Sequence, residues 1–266
     1  MIVQFKFKKK YGQNFIKDNN IIKKIVDLVV INKDDLIIEV GPGAGSLTKY
    51  LVNTGANVVC YEIDNDLKDY LTKNINNNNN IQFIFDDFLK RDLYSDIKKY
   101  NYKNLYFISN VPYYITTPIL FKLIDVNLDF KNIIMMVQKE VGERFSARVG
   151  TKAYSAITVL INYFYNVNIE FDVEREYFYP MPNVDSVVIS LSSKEVSSKV
   201  CDYKFFEKVV FDSFQFKRKN IKNNLFNYNL DIVKKVLNKY NYDLDVRAEK
   251  LDVNIFVDLC NNLYNK

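Results

Sequence analysis

Five short, mostly apolar runs punctuate the first half of the chain: Leu36–Val40, Asn57–Tyr61, Ile81–Phe85, Leu105–Ser109 and Ile133–Val137. A strand with one wet face alternates apolar and polar residues. These runs do not, which predicts strands covered on both faces. Helical spacing returns between them, as in Ser46–Val52, so the class is α/β with a mostly parallel sheet. Two later runs, Val167–Val173 and Ser186–Leu191, predict a closing antiparallel pair and bring the sheet to seven strands. Between them Tyr179-Pro180-Met181-Pro182-Asn183 predicts a rigid turn.

All seven Gly lie at or before Gly150 and all five Pro at or before Pro182, so residues 195–266 lack both chain breakers. Phe205, Val209, Val210 and Ser213, then Val233, Val236 and Leu237, recur there at helical spacing. The expected division is a large α/β domain over 1–191 and a small all-helical domain over 192–266.

Charge sharpens this picture. Residues 1–24 carry a net +6, residues 25–194 a net −4 and residues 195–240 a net +5. Basic ends around an acidic middle suit a polyanion held from two sides, although solvated lysine surface would look the same. No apolar run approaches the ~18 residues of a membrane helix. The basic stretch Met1 to Lys10 lacks the apolar core of a signal peptide, so no membrane is expected and a cytoplasmic location is. Cys60, Cys201 and Cys260 are scattered without metal-ligand spacing, so no metal is expected. The Asn76 to Asn80 run reads as a polar loop tip. The chain contains no histidine, which removes His-based triads and His general bases.

The chemistry gathers at strand ends. After the first strand come Glu39-Val40-Gly41-Pro42-Gly43-Ala44-Gly45 and a helical pattern. Glycines there let backbone approach a ligand at a helix N-terminus. The G-x-G-x-G spacing lacks the Lys-Ser/Thr of a P-loop and is tighter than the dinucleotide fingerprint. It resembles the S-adenosylmethionine loop of Rossmann-like methyltransferases. Glu62 closes the second strand, where an acid can accept both ribose hydroxyls. Asp87 follows the third, where methyltransferases place an acid on the cofactor's adenine amine; Asp86 reads as its solvated neighbour.

After the fourth strand stands Asn110-Val111-Pro112-Tyr113-Tyr114. Asn-x-Pro-Tyr resembles the motifs of enzymes that methylate amines conjugated to a ring. Such an amine is a weak nucleophile because its lone pair is delocalised. The Asn110 oxygen and a backbone carbonyl at the Pro112 turn can accept its N–H bonds as it gains charge. Pro112 fixes the turn, and Tyr113 offers a ring for stacking.

From these residues outward the chain resembles the small-subunit ribosomal RNA adenine N6,N6-dimethyltransferases of the bacterial KsgA type, nearly end to end. The resemblance includes Lys10-Tyr11-Gly12-Gln13-Asn14-Phe15-Ile16, Gln138-Lys139-Glu140-Val141 with Arg144, and Gly150 to Tyr154. It continues through Pro182-Asn183-Val184-Asp185-Ser186, Phe216 to Leu225, and Arg247-Ala248-Glu249-Lys250-Leu251. Val111 and Tyr114 depart from the family's usual residues. The resemblance implies a Rossmann-like methyltransferase domain with S-adenosylmethionine as cofactor. It implies cofactor contacts from Asn14 and Ile16 beside those of Gly41, Gly43, Glu62, Asp87 and Asn110, and a target base closed over by the Pro182–Ser186 turn with Phe178. The implied partner is small-subunit ribosomal RNA in a pre-small subunit, bound by a monomer. Two adjacent adenosines of a hairpin near its 3′ end would each receive two methyl groups. A basic helix holding Lys217, Arg218, Lys219 and Lys222 would grip phosphates, with Lys6 to Lys10 as a second grip.

Three other readings compete. Antibiotic-resistance methyltransferases of large-subunit RNA share the first domain but lack the Pro-x-Val-Asp-Ser turn and the Arg-Ala-Glu segment. A non-catalytic RNA-binding assembly factor would not need Gly41, Glu62, Asp87 and Asn110 together. An NAD-dependent oxidoreductase is disfavoured by the glycine spacing and by the missing proton donor.

Overall fold

The computed structural model describes residues 14–75, 79–126, 128–195 and 198–264. Lys6 to Lys10, Tyr11 to Gln13 and Asn76 to Asn78 lie outside the described residues. The chain opens with β1 (Phe15–Ile16) and α1 (Asn19–Val26), the latter capped by Asp18, whose carboxylate accepts the Asn20 N–H at 2.7 Å. Then β2 (Leu36–Val40), α2 (Ser46–Val52), β3 (Asn57–Tyr61), α3 (Lys68–Asn74), β4 (Ile81–Ile84), α4 (Leu93–Ile97), β5 (Leu105–Asn110) and α5 (Thr116–Asp125) alternate. They are followed by β6 (Phe130–Gln138), α6 (Lys139–Phe145), α7 (Ala156–Phe164), β7 (Tyr165–Val173), β8 (Phe178–Tyr179) and β9 (Ser186–Ser193).

The expected sheet is present, with seven strands in the order β4-β3-β2-β5-β6-β9-β7. Pairs β3–β4, β2–β3, β2–β5 and β5–β6 are parallel, and β6–β9 is antiparallel. Every residue of β2 is buried, as a strand covered on both faces requires. The chain leaves β2 toward β3 on one side and returns to β5 on the other. That reversal opens a crevice at the carboxyl ends of β2 and β5, where α/β sheets bind ligands.

A two-stranded pair was not visible in the hydrophobic pattern: β1 lies antiparallel to β8, with Phe15 opposite Tyr179 and Ile16 opposite Phe178. It fastens the segment beginning at Asn14 to the turn that precedes β9. Gly45 shows how tightly the covering helices pack. Its φ is +77°, and a Cβ there would overlap Ile75 Cδ1, which follows α3. We expect Gly45→Ala to lower unfolding stability by about 2 kcal/mol through left-handed strain and overpacking, read as a drop in the urea midpoint.

By its contacts the chain forms two compact units, one of 1–142 with 168–193, the other of 143–167 with 194–266. A cut at 191/192 therefore misplaces residues 143–167, whose α7 packs with the C-terminal helices. Those helices are α8 (Tyr203–Phe214), α9 (Ile221–Asn224), α10 (Leu230–Asn238) and α11 (Val253–Tyr264). Tyr163 of α7 meets Phe206 of α8 at 5.1 Å between ring centroids, and Phe214 meets Phe256 of α11 at 5.8 Å. Among the described residues no helix is long and apolar enough to cross a membrane.

Candidate active site

The crevice at the carboxyl ends of β2 and β5 is a cleft of about 930 Å³, open to solvent. Asn14, Ile16, Gly41, Gly43, Glu62, Asp87, Asn110, Pro112 and Tyr113 all line it. Nine residues spread over a hundred positions thus converge on one cleft, because four successive strand ends and the β1 segment meet there.

Glu62 is almost wholly buried and both its carboxylate oxygens are engaged. Oε2 accepts the Gly43 N–H at 3.1 Å and Oε1 the Asp64 N–H at 2.8 Å. Burial raises its pKa, and these two backbone bonds oppose the rise. A carboxylate has about four lone-pair directions, so beside the backbone donors, Ile63 among them, acceptor capacity remains for a ligand. Gly43 is needed for another reason as well: its φ is +57°, and a Cβ would come 2.5 Å from the Phe15 ring. Asp87 caps the 3-10 turn Phe88–Lys90 by accepting the Leu89 N–H at 3.0 Å, which holds its carboxylate at the cleft. Asp86 is exposed, faces Arg91 at 3.3 Å and lines the cleft beside Asp87. Lys122 of α5 donates to the carbonyls of Leu89 at 3.0 Å and Arg91 at 2.6 Å, bracing the turn that follows Asp87.

On the opposite wall Ser109 fastens β5 to β2, its hydroxyl donating to the Val40 carbonyl at 2.6 Å. The Asn110 amide nitrogen donates to the Asn14 carbonyl at 3.1 Å. That bond sets the amide so that Oδ1 is the atom left to accept from a ligand. The Pro112 carbonyl accepts the Ile115 N–H at 3.1 Å, so a further donor would use its second lone pair. The Tyr113 hydroxyl lies 2.6 Å from the Ser186 hydroxyl.

Glu39 was missed as part of the site. It lines the cleft beside Gly41, is fully enclosed, and burial pushes its pKa up to about 7. The Cys60 thiol donates to its Oε2 at 3.4 Å. The signal was present: one acid in the otherwise apolar run Leu36-Ile37-Ile38-Glu39-Val40 of a strand covered on both faces.

Two expectations need correction. Phe178 does not offer a face to RNA. Paired opposite Ile16, it is fully buried in the core cluster with Val173 and Val188, and it does not line the cleft. The side chain exposed on that strand is Tyr179. Nor do Lys217, Arg218 and Lys219 lie on a helix. They form a turn between α8 and α9, and only Lys222 is helical. The cause is Asn224, which is buried: its amide accepts the Phe216 N–H at 2.9 Å and donates to the Phe216 carbonyl at 3.4 Å, bending the backbone out of the helix. All four cations remain exposed, and none pairs with a carboxylate among the described residues.

Comparison with known proteins agrees with this geometry. The family described as "Ribosomal RNA adenine dimethylase" matches residues 4–265. "Ribosomal RNA small subunit methyltransferase A" of Mycoplasma capricolum is 42% identical over 262 residues, covering 97% of this chain and 98% of that protein. The protein of the same name from Streptococcus gordonii is 39% identical over 268 residues, covering 97% and 92%. A dimethyladenosine transferase crystal structure from Plasmodium falciparum superposes with a TM-score of 0.77 at 28% identity, covering 92% of this chain and 95% of that one. The 23S rRNA methyltransferase ErmE, at 23% identity and a TM-score of 0.74, shares the fold. With a family match over nearly its whole length and relatives near 40% identity, the chain belongs to the ribosomal RNA adenine dimethylase family.

Proposed function

We propose that this chain uses S-adenosylmethionine to dimethylate the exocyclic amines of two adjacent adenosines in a hairpin near the 3′ end of small-subunit ribosomal RNA, as a step in small-subunit biogenesis. The observation that carries the reading is the Asn110 amide, whose nitrogen is committed to the Asn14 carbonyl at 3.1 Å, leaving an oxygen acceptor on the cleft wall.

The donor set fits the cofactor. Glu62 keeps acceptor capacity for ribose hydroxyls, Asp87 presents a carboxylate to an adenine amine, and Gly41 and Gly43 bring backbone to the cleft. Asn14 and Ile16 close that end of the pocket. When bound, the cofactor supplies an electrophilic methyl on a sulfonium that carries its own leaving group. The protein therefore needs alignment more than a strong base, in keeping with a chain that has no histidine. Asn110 Oδ1 and the Pro112 carbonyl accept the two N–H bonds of the target amine and favour it as it becomes tetrahedral and positive. The Tyr113 ring stacks the adenine after it leaves its own stack.

The helical unit is the RNA-binding part, with Lys217, Arg218, Lys219 and Lys222 on phosphates. Replacing Lys217, Arg218 and Lys219 together by Gln should weaken RNA binding roughly tenfold or more and reduce the slope of log affinity against log salt by roughly 2 to 3. Cofactor affinity should not change. An unchanged salt slope would move the RNA surface elsewhere. The function itself is tested by incubating the protein with labelled cofactor and unmethylated small subunits, then mapping the modified nucleotides. Label on large-subunit RNA, or none, would reject it.

A further inference from the structure

The Tyr113 hydroxyl is held by a buried partner. Its oxygen lies 2.6 Å from Ser186 Oγ, and Ser186 is fully buried. Ser186 does not line the cleft, whereas Tyr113 does. Burial raises the pKa of the phenol above its ordinary value, and the hydrogen bond with Ser186 opposes the rise.

The anchor is itself braced. Ser186 is the first residue of β9 and stands opposite Gln138, the last residue of β6. The residue before it, Asp185, accepts the Lys139 N–H on its carbonyl at 3.0 Å and the Arg175 N–H on its carboxylate at 3.1 Å. Behind it, Gly142 packs so closely that a Cβ there would overlap Val187 Cγ2. A side chain attached at this point has little freedom.

We propose that Ser186 is a positioning residue which tethers the Tyr113 phenol across β6 and so fixes the plane in which the target base is stacked. The inference rests on the reading of Tyr113 as the stacking platform. A tyrosine in a short 3-10 turn (Tyr113–Ile115) could rotate about its side-chain bonds; a hydroxyl tether at the far end of the ring removes that rotation. Misplacing a reacting amine by an ångström or less is enough to slow an in-line transfer. The role of the hydroxyl is thus mechanical. It also explains what Ser186 does in the Pro182–Ser186 turn: the turn acts on the target through the ring of Tyr113.

The test is a double-mutant cycle with Ser186→Ala, Tyr113→Phe and the two combined, assayed on unmethylated small subunits at saturating cofactor. Each single variant should lose roughly five- to tenfold in kcat, the value of one buried hydrogen bond. The double variant should lose no more than either single one. Cofactor affinity by calorimetry should stay within twofold for all three, which separates positioning from general loss of structure. Wild-type kcat in Ser186→Ala, or losses that multiply in the double variant, would overturn the tether. Tyr113→Leu probes the underlying reading separately. If it slows the reaction while Ser186→Ala does not, only the tether fails. If Tyr113→Leu turns over normally, the stacking role of the ring fails, and the tether with it.

Discussion

Asn110→Ala is expected to cut kcat by roughly 10²- to 10³-fold, the usual loss when one oriented group that stabilises developing charge is removed. Cofactor affinity should change by no more than a few-fold. The asymmetry follows from what the side chain touches. Its nitrogen is spent on the Asn14 carbonyl at 3.1 Å, within the protein. Its oxygen is the acceptor for an amine that is nearly neutral in the ground state and positive at the point of transfer. An interaction that strengthens along the reaction raises kcat, whereas one of constant strength alters only KM. Glu62 and Gly43, which hold each other at 3.1 Å, are untouched by the change, and the loss of one hydrogen bond to the Asn14 carbonyl accounts for a few-fold change at most. Single-turnover methylation of unmethylated small subunits, alongside calorimetry with the cofactor, reads both quantities. Turnover within a few-fold of wild type would remove Asn110 from the mechanism.

Much of the sheet and cleft was legible because it rests on local rules. Runs covered on both faces read as parallel strands, and β2 and β3 begin and end where their apolar stretches do. The residues at strand ends converge because a parallel sheet sends all its carboxyl ends to one edge. Glu62, Asp87 and Asn110 could therefore be grouped across 48 positions without knowing any distance.

What was not legible depends on contacts between distant segments. A two-residue pair such as β1–β8 is too short to show alternation, and its register decides that Phe178 turns inward and Tyr179 outward. An aromatic residue reads the same whether it fills a core or stacks a base, so only that register separates the two. The turn at Lys217–Lys219 has no Gly or Pro and therefore reads as helix. It is a side-chain amide, Asn224, that captures the backbone of Phe216. Residues 143–167 group with the C-terminal helices through ring contacts, such as Tyr163 with Phe206, that sequence spacing cannot display.

Glu39 carries the second large effect, which appears in stability against pH. Burial holds its carboxyl at about 7 in the folded chain, above the ordinary 4.5. A raised carboxyl binds its proton more tightly when folded than when unfolded. Its favourable contribution is complete below pH 4.5 and is lost as pH climbs through about 7. Above that, folding must enclose a charge. The chain has no histidine, so little else titrates between these limits. Glu62 shifts in the same direction and adds to the trend, while the Cys60 thiol is pushed well above 9 and stays protonated. Unfolding free energy should therefore fall by roughly 2 to 3 kcal/mol from pH 5 to pH 8, at about 1.4 kcal/mol per unit of pKa difference. Glu39→Gln keeps the shape of the side chain but not its ionisation, and most of that decline should vanish. Urea titrations of both proteins at the two pH values measure the difference directly. Parallel pH dependence in the two would mean that the carboxyl is already ionised in its enclosed place beside Cys60.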